Sequence, residues 1–451
     1  MATERSRFFN AAFIAADTQA RRHGTAYTCE LLRSDFNELC EAARMEFAKI
    51  AMSCPSDYVK HVWLTRNATQ AARRVLFCLR QFLKNDNCSL LTTTEEYNSV
   101  LASIDEVWPG PVYALDWSEA LLREDVQDKP DEAVKLLLQS IRVSRPSVIV
   151  LSHVTRATGF QLTIHDLKKI REEAGEAFIL LDAAESAGNV DDKDLREAFQ
   201  CVDAAITSGH KWLGGDTSTG LLYCKDPDEL TVFKDPSESE SQTKGAGGTG
   251  DLDAIASLVW AMRYDRAPMG SDRTPSAIGK EFRDALKKEL EDSDIDSDCC
   301  KVIGYKNRET GIVAVKLQLD GESNSKDCLN LLNLMGYEFT SFQATPARHD
   351  ESGGIKPVKE RYQLKIAEQN FTVERVEKVA FKNWETQSYC FGGALANSGR
   401  SCCAVWRFSV AYYHSYSDIV DLANAIIEVV KRKGKSENAE SSTSDRGPKT
   451  G

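Results

Sequence analysis

Seven short, largely apolar runs, at 62–64, 89–92, 112–115, 148–151, 178–181, 204–207 and 220–224, punctuate the first half of the chain. Most are continuously apolar rather than alternating with polar residues, a pattern that suits strands buried on both faces. Helical patterns intervene at 71–82, 131–141 and 165–174. Runs and helices in this alternation predict an α/β domain with a mainly parallel sheet.

The pattern changes after about residue 230. The stretch 235–250 is rich in Ser, Glu, Gly and Lys and reads as an exposed loop; helical patterns follow at 252–262 and 276–290. A smaller α+β unit is expected beyond them. It would hold strands at 311–319, 337–342 and 403–413 and helices at 326–335 and 419–431, with a loop at 344–358. From residue 433 the chain has too little apolar surface to fold. The expected division is an N-terminal segment, 1–20, packed on the small unit; a large domain, 21–265; a small C-terminal domain, 266–432; and a disordered tail, 433–451. No internal repeat is visible.

Chemistry concentrates in the run Thr207-Ser208-Gly209-His210-Lys211-Trp212-Leu213-Gly214-Gly215, just after the strand pattern that ends at Thr207. A lysine preceded by a hydroxyl and an imidazole, and followed by a glycine pair, suits a cofactor with an aldehyde, a phosphate and an aromatic ring. Lysine condenses with such aldehydes when its amine is held neutral.

Composition narrows the partners. A net charge of -12 argues against nucleic acid and anionic membranes. No apolar run approaches the roughly 18 residues of a membrane span. The first ten residues lack the apolar core of a secretory signal, and the 13 cysteines read as reduced thiols, so a cytoplasmic protein is expected. The seven histidines and the cysteines show no metal-clamp spacing, and no metal is expected.

Together these motifs resemble the fold-type I pyridoxal-phosphate enzymes of the class V aminotransferase group, which includes cysteine desulfurases, isopenicillin N epimerase-like and kynureninase-like proteins. The resemblance extends from Phe8-Phe9-Asn10-Ala11-Ala12 to the closing helix, and 152–224 is its specific part. It implies a seven-stranded, mainly parallel sheet in the large domain, pyridoxal 5'-phosphate as cofactor, and a homodimer with shared active sites.

Residue by residue, the resemblance makes Lys211 the Schiff-base lysine and Asp182 the partner of the protonated pyridine nitrogen. A helix N-cap is the plainer reading of Asp182. Phosphate binding falls to Ala68 and Thr69 at a helix N-terminus, with Ser208 and His210; an ordinary N-cap would look the same. Thr249, in Gly248-Thr249-Gly250, matches a segment offered to the neighbouring subunit's phosphate, or is a flexible turn. Arg407 matches the arginine that grips the substrate carboxylate, against a structural ion pair. His153 lies on the cofactor's hydroxyl side or is a core histidine.

Three positions depart from the family. Glu95 stands where a histidine usually stacks on the cofactor ring; either Tyr97 covers the ring instead, or the carboxylate is an added acid/base. Glu185 replaces the glutamine or histidine near the phenolic oxygen, and Arg156, which with Arg407 is expected to bind substrate, replaces an asparagine common in desulfurases. The resemblance implies a lyase or transferase of amino-acid metabolism, acting on an α-amino acid by β-elimination, aldol-type or transamination chemistry. A cysteine desulfurase using Cys390, an amino-acid epimerase and a non-catalytic binding relative remain open.

Overall fold

The computed structural model describes residues 26–53, 55–83, 88–226, 252–265, 274–293, 295, 300–319, 340–344, 361–366, 369–376, 402–409 and part of 417–428. The expected segments at 1–20, 326–335 and 433–451, Thr249, Cys390 and the 344–358 loop apart from Ala344 lie outside them.

All seven runs form strands: β1 Val62–Thr65, β2 Leu90–Thr93, β3 Val112–Leu115, β4 Val148–Ser152, β5 Phe178–Asp182, β6 Ala204–Ser208 and β7 Gly220–Cys224. Their sheet runs β1-β7-β6-β5-β4-β2-β3, with β7 antiparallel to both neighbours and β6, β5, β4, β2 and β3 parallel. The main helices around it are α1 Ala26–Ala51, α2 Ala68–Leu83, α3 Asn98–Val107, α4 Asp131–Ser144, α5 Ile164–Ala174 and α6 Asp192–Gln200. Successive side chains of β4 explain the continuous apolar runs: Val148 and Val150 enter a core shared with α2 and α3, while Ile149 and Leu151 enter one shared with α1, α4, α5 and α6.

The chain continues through α7, Leu252–Trp260, which packs on α1, and α8, Pro275–Glu291. Thr274 caps α8 by accepting the Ala277 N–H, ahead of Pro275 in its first turn. A second, antiparallel sheet of order β10-β13-β9-β8 follows, built from β8 Cys300–Ile303, β9 Ile312–Leu319, β10 Thr340–Ala344 and β13 Cys402–Ser409. Between β10 and β13, a hairpin of β11 Arg361–Ile366 and β12 Gln369–Val376 pairs antiparallel with β3. The large sheet therefore has nine strands: the expected seven, and two supplied by a segment from the C-terminal region.

Several bonds tie the small-sheet segment to the large domain, two of them at the loops that follow β4 and β5. Asn189 Oδ1 accepts the Gly311 N–H at 2.7 Å, and the Thr310 hydroxyl donates to the Gly159 carbonyl at 3.2 Å. These bonds bring the start of β9, and so its partner β13, to the C-terminal ends of the large sheet's parallel strands.

Candidate active site

Ligands of open α/β sheets bind beyond the carboxyl ends of the strands, and the sequence-selected residues gather there. Lys211 sits in the turn after β6. That turn is closed by bonds from the Gly209 N–H to Thr219 O, the Gly214 N–H to Lys211 O and the Gly215 N–H to Gly209 O. The Lys211 Nζ donates to Glu185 Oε1 at 3.0 Å, and the Trp212 indole donates to Glu185 Oε2 at 2.8 Å. From β13, Arg407 adds a fork, NH1 to Oε1 at 3.0 Å and NH2 to Oε2 at 2.6 Å. Glu185 is thus the hub of the site. Burial pushes its carboxyl up, but Arg407 and Lys211 outweigh that and hold it well below the usual carboxylate range.

Asp182 ends β5, is 4% exposed, and accepts the Ala184 N–H at 2.8 Å. Its pKa is raised by burial, against the pull of the Lys211 charge. On the neighbouring strand, the Ser152 N–H and hydroxyl both donate to the fully buried Glu96, at 2.6 and 2.8 Å. Burial and the Asp182 charge push Glu96 up to about 8. Glu96, Trp212 and Ser118 are site residues that the sequence does not assign: nothing local marks Glu96 or Ser118, and Trp212, though next to Lys211, carries no family role there.

Glu95 and Tyr97 have different surroundings. Glu95 is 1% exposed and turned to the Ser118 hydroxyl, 2.5 Å away. Burial raises it to about 7 despite Ser118 and Arg156. Tyr97 is the exposed one, its ring centroid 4.4 Å from Lys211 Nζ and 5.4 Å from the buried Arg156 guanidinium. His153 is buried, and burial drives its imidazole down to about 4, so it is neutral. His210 is half-buried beside Lys211, its pKa lowered by burial and then by the lysine's charge.

Ser208, Gly220 and Thr65 form one row across β6, β7 and β1. A Cβ on Gly220 would lie 2.6 Å from the Asn67 backbone, so this glycine lets the turn before α2 close over the row. Asn67 Oδ1 accepts the Gln70 N–H at 2.8 Å, capping α2, and the Thr69 hydroxyl donates to the Ser99 hydroxyl at 2.7 Å. Ala68 is the first residue of α2, and the positive end of the helix lies beside Ser208.

Residues 19–336 match the model of the class V aminotransferases. The chain belongs to that family. With membership comes the family's cofactor, pyridoxal 5'-phosphate, and an enzyme's ancestry. Three solved structures show the same fold. A cysteine desulfurase from Escherichia coli, in its S-sulfonic acid form, is 15% identical at a TM-score of 0.59, covering 94% of this chain and 91% of that one. The apo cysteine desulfurase from Thermococcus onnurineus NA1 is 15% identical at 0.57, covering 90% and 86%. Sphingomonas wittichii serine palmitoyltransferase is 13% identical at 0.56, covering 93% and 84%. No curated protein matches the chain in sequence.

The donor set fits this cofactor: an amine for its aldehyde, a buried carboxylate for its ring nitrogen, an aromatic face over the amine, and a helix N-terminus with a serine for its phosphate. Four buried polar atoms along β2, β4 and α3 also make no hydrogen bond within the protein, namely Thr92 Oγ1, Glu95 Oε2, Asn98 Oδ1 and His153 Nδ1. Such atoms are ones that a bound ligand or ordered water would satisfy. Among the described residues, no helix is long and apolar enough to cross a membrane.

Proposed function

We propose that this class V aminotransferase relative is a lyase or transferase acting on an α-amino acid, with Lys211 as its catalytic amine. One observation carries the reading: Lys211 Nζ and Arg407 NH1 meet on the same carboxylate oxygen, each at 3.0 Å. A carboxylate held in the Arg407 fork therefore has its neighbouring atoms within reach of the lysine. That is the spacing needed for a substrate whose amine and carboxylate share one carbon.

Pyridoxal phosphate, when bound, supplies an aldehyde for amines and an electron-withdrawing ring that stabilises negative charge at Cα. The rest falls to the chain. Asp182, buried at the end of β5, would hold positive charge on the ring nitrogen. Ser208, His210, Thr69 and the N-terminus of α2 at Ala68 receive the phosphate. Tyr97 would cover the ring, with Arg156 against the tyrosine ring, and Glu95 and His153 would add buried polar groups to the lining. Arg407 fixes the substrate carboxylate, and Lys211 moves the proton at Cα. Thr249 of a second copy completes the phosphate site in a homodimer.

β-Elimination, aldol-type and transamination outcomes all follow from this arrangement. A cysteine desulfurase is the second reading, supported by the likeness to two such enzymes; it assigns sulfur acceptance to Cys390.

The test is to load the purified protein with pyridoxal phosphate and add amino acids singly, following visible absorption and product formation. The proposal expects at least one amino acid to perturb the spectrum and turn over in the native protein but not in Lys211→Ala. Sulfide release from cysteine, lost in Cys390→Ser, would select the second reading. No response to any amino acid would remove both and leave a binding relative of the fold.

A further inference from the structure

The proposed function gives Arg407 the substrate carboxylate, yet the folded chain already fills that fork with one of its own. Glu185 takes both terminal nitrogens of Arg407 at 3.0 and 2.6 Å, while the same two oxygens take Lys211 and Trp212. The side chains of Glu185 and Arg407 are 7% and 13% exposed, so water does little to weaken the pair. A bidentate guanidinium–carboxylate pair has one geometry, and a second carboxylate cannot adopt it at the same time. Crowding both onto one fork would also press two like charges together in a buried site.

We infer that Glu185 is a specificity-determining residue, an internal stand-in for the substrate carboxylate that must leave Arg407 before a carboxylate-bearing ligand binds. This inference rests on the proposed role of Arg407.

The surroundings confine the exchange to the side chain. The Glu185 carbonyl accepts the Asn189 side-chain N–H at 2.8 Å, and Asn189 Oδ1 in turn accepts the Gly311 N–H, so the main chain is anchored to the start of β9. Trp212 comes from the turn after β6 and bonds the same Glu185 oxygen as one Arg407 nitrogen, so its indole can keep that oxygen while the carboxylate swings off the guanidinium. The exchange is carboxylate for carboxylate, and Arg407 is never left unpaired. Lys211 is one of the two cations holding Glu185 in place. Once its amine is committed to the cofactor's aldehyde that hold weakens, so a loaded site admits a carboxylate more readily than an empty one. A ligand with an amine and no carboxylate gains nothing from the exchange.

Calorimetric titration of the full-length, cofactor-free protein with acetate, and separately with ethylamine, tests this. Glu185→Gln keeps the shape of the side chain and removes its charge. Acetate should bind about tenfold or more tightly to Glu185→Gln than to the native protein, the scale of a charge-assisted hydrogen-bond pair. The gain should vanish in Glu185→Gln/Arg407→Ala, and ethylamine should show no gain. If Glu185→Gln does not fold, Glu185→Asp, which draws the carboxylate back by one methylene, should shift acetate binding in the same direction. Equal or weaker acetate binding in the folded variant, or a gain that survives loss of Arg407, overturns the inference. These titrations need no cofactor, so their failure leaves the proposed function standing. Amino-acid turnover that survives Lys211→Ala overturns the proposed function and leaves the Glu185–Arg407 exchange to be judged by the titrations alone.

Discussion

The two walls of the candidate site are alike in polarity and opposite in bonding. On the wall built from the ends of β5, β6 and β13, Glu185 alone takes four hydrogen bonds from Lys211, Trp212 and Arg407. On the wall built from β2, β4 and α3, Thr92, Glu95, Asn98 and His153 each bury an atom that makes none. A buried polar group left unmade costs about 1–3 kcal/mol. The first wall is therefore one a ligand must open, and the second is one a ligand can complete. Binding strength and selectivity are thereby separated: completing the second wall favours any ligand with the right polar edge, whereas opening the first favours only one that replaces what it displaces.

The largest expected effect is on the bonded wall. Lys211→Ala should lower turnover of the responding amino acid by about 10³-fold or more, the scale of a lost acid/base group, as measured by steady-state kinetics at saturating cofactor. Residual turnover near the native rate would mean that another group moves the proton. Arg407→Lys keeps the charge and loses the fork. It should raise KM by roughly 10–100-fold with a smaller change in kcat, and an unchanged KM would place the substrate carboxylate elsewhere.

Glu96 and Glu95 make the second wall pH-sensitive. Their carboxyls are raised to about 8 and about 7 from an ordinary value near 4.5. They are therefore neutral in the folded chain at pH 6, where the unfolded chain has released those protons. The stability this contributes is present in full below about pH 4.5 and is lost as pH rises through 7 to 8. Stability should fall between pH 6 and 8, by up to about 2.7 kcal/mol for Glu96 and about 1.4 kcal/mol for Glu95 at 1.36 kcal/mol per pH unit, and the melting temperature should fall with it. Glu96→Gln should flatten part of that fall, and an identical slope in the variant would mean that Glu96 is ionised throughout.

The smallest effect distinguishes the walls most cleanly. Thr92→Val removes a buried hydroxyl that makes no bond, and should stabilise the cofactor-free protein by about 1 kcal/mol in chemical denaturation. A loss of stability would mean the hydroxyl is bonded and the contrast between the walls is false.

Much of the fold was legible because burial on both faces writes itself into a sequence as continuous apolar runs; β3 and β7 match their expected limits, and the other five expected runs lie one residue from theirs. α6, with the sequence DKDLREAFQ, was not legible, since only Leu195, Ala198 and Phe199 of it are buried. Nor was the β11–β12 hairpin, whose pairing with β3 joins residues more than 250 positions apart. The site divided along the same line. Lys211, Asp182 and Ser208 stand at strand ends in short motifs and could be read locally. The bond between Glu185 and Arg407 spans 222 positions and was set by the docking of β13, so Glu185 was read for the cofactor alone. The sequence leaves open whether Tyr97 covers the ring or Glu95 adds an acid/base, and Tyr97 is the side chain that reaches Lys211.

The central claim is that Lys211 is the residue that takes the cofactor. Borohydride reduction of the protein loaded with pyridoxal phosphate, followed by peptide mass mapping, tests it directly. The account predicts a reduced pyridoxal phosphate adduct on Lys211, stoichiometric with protein and absent from Lys211→Ala. An adduct spread over surface lysines, or none at all, would contradict it.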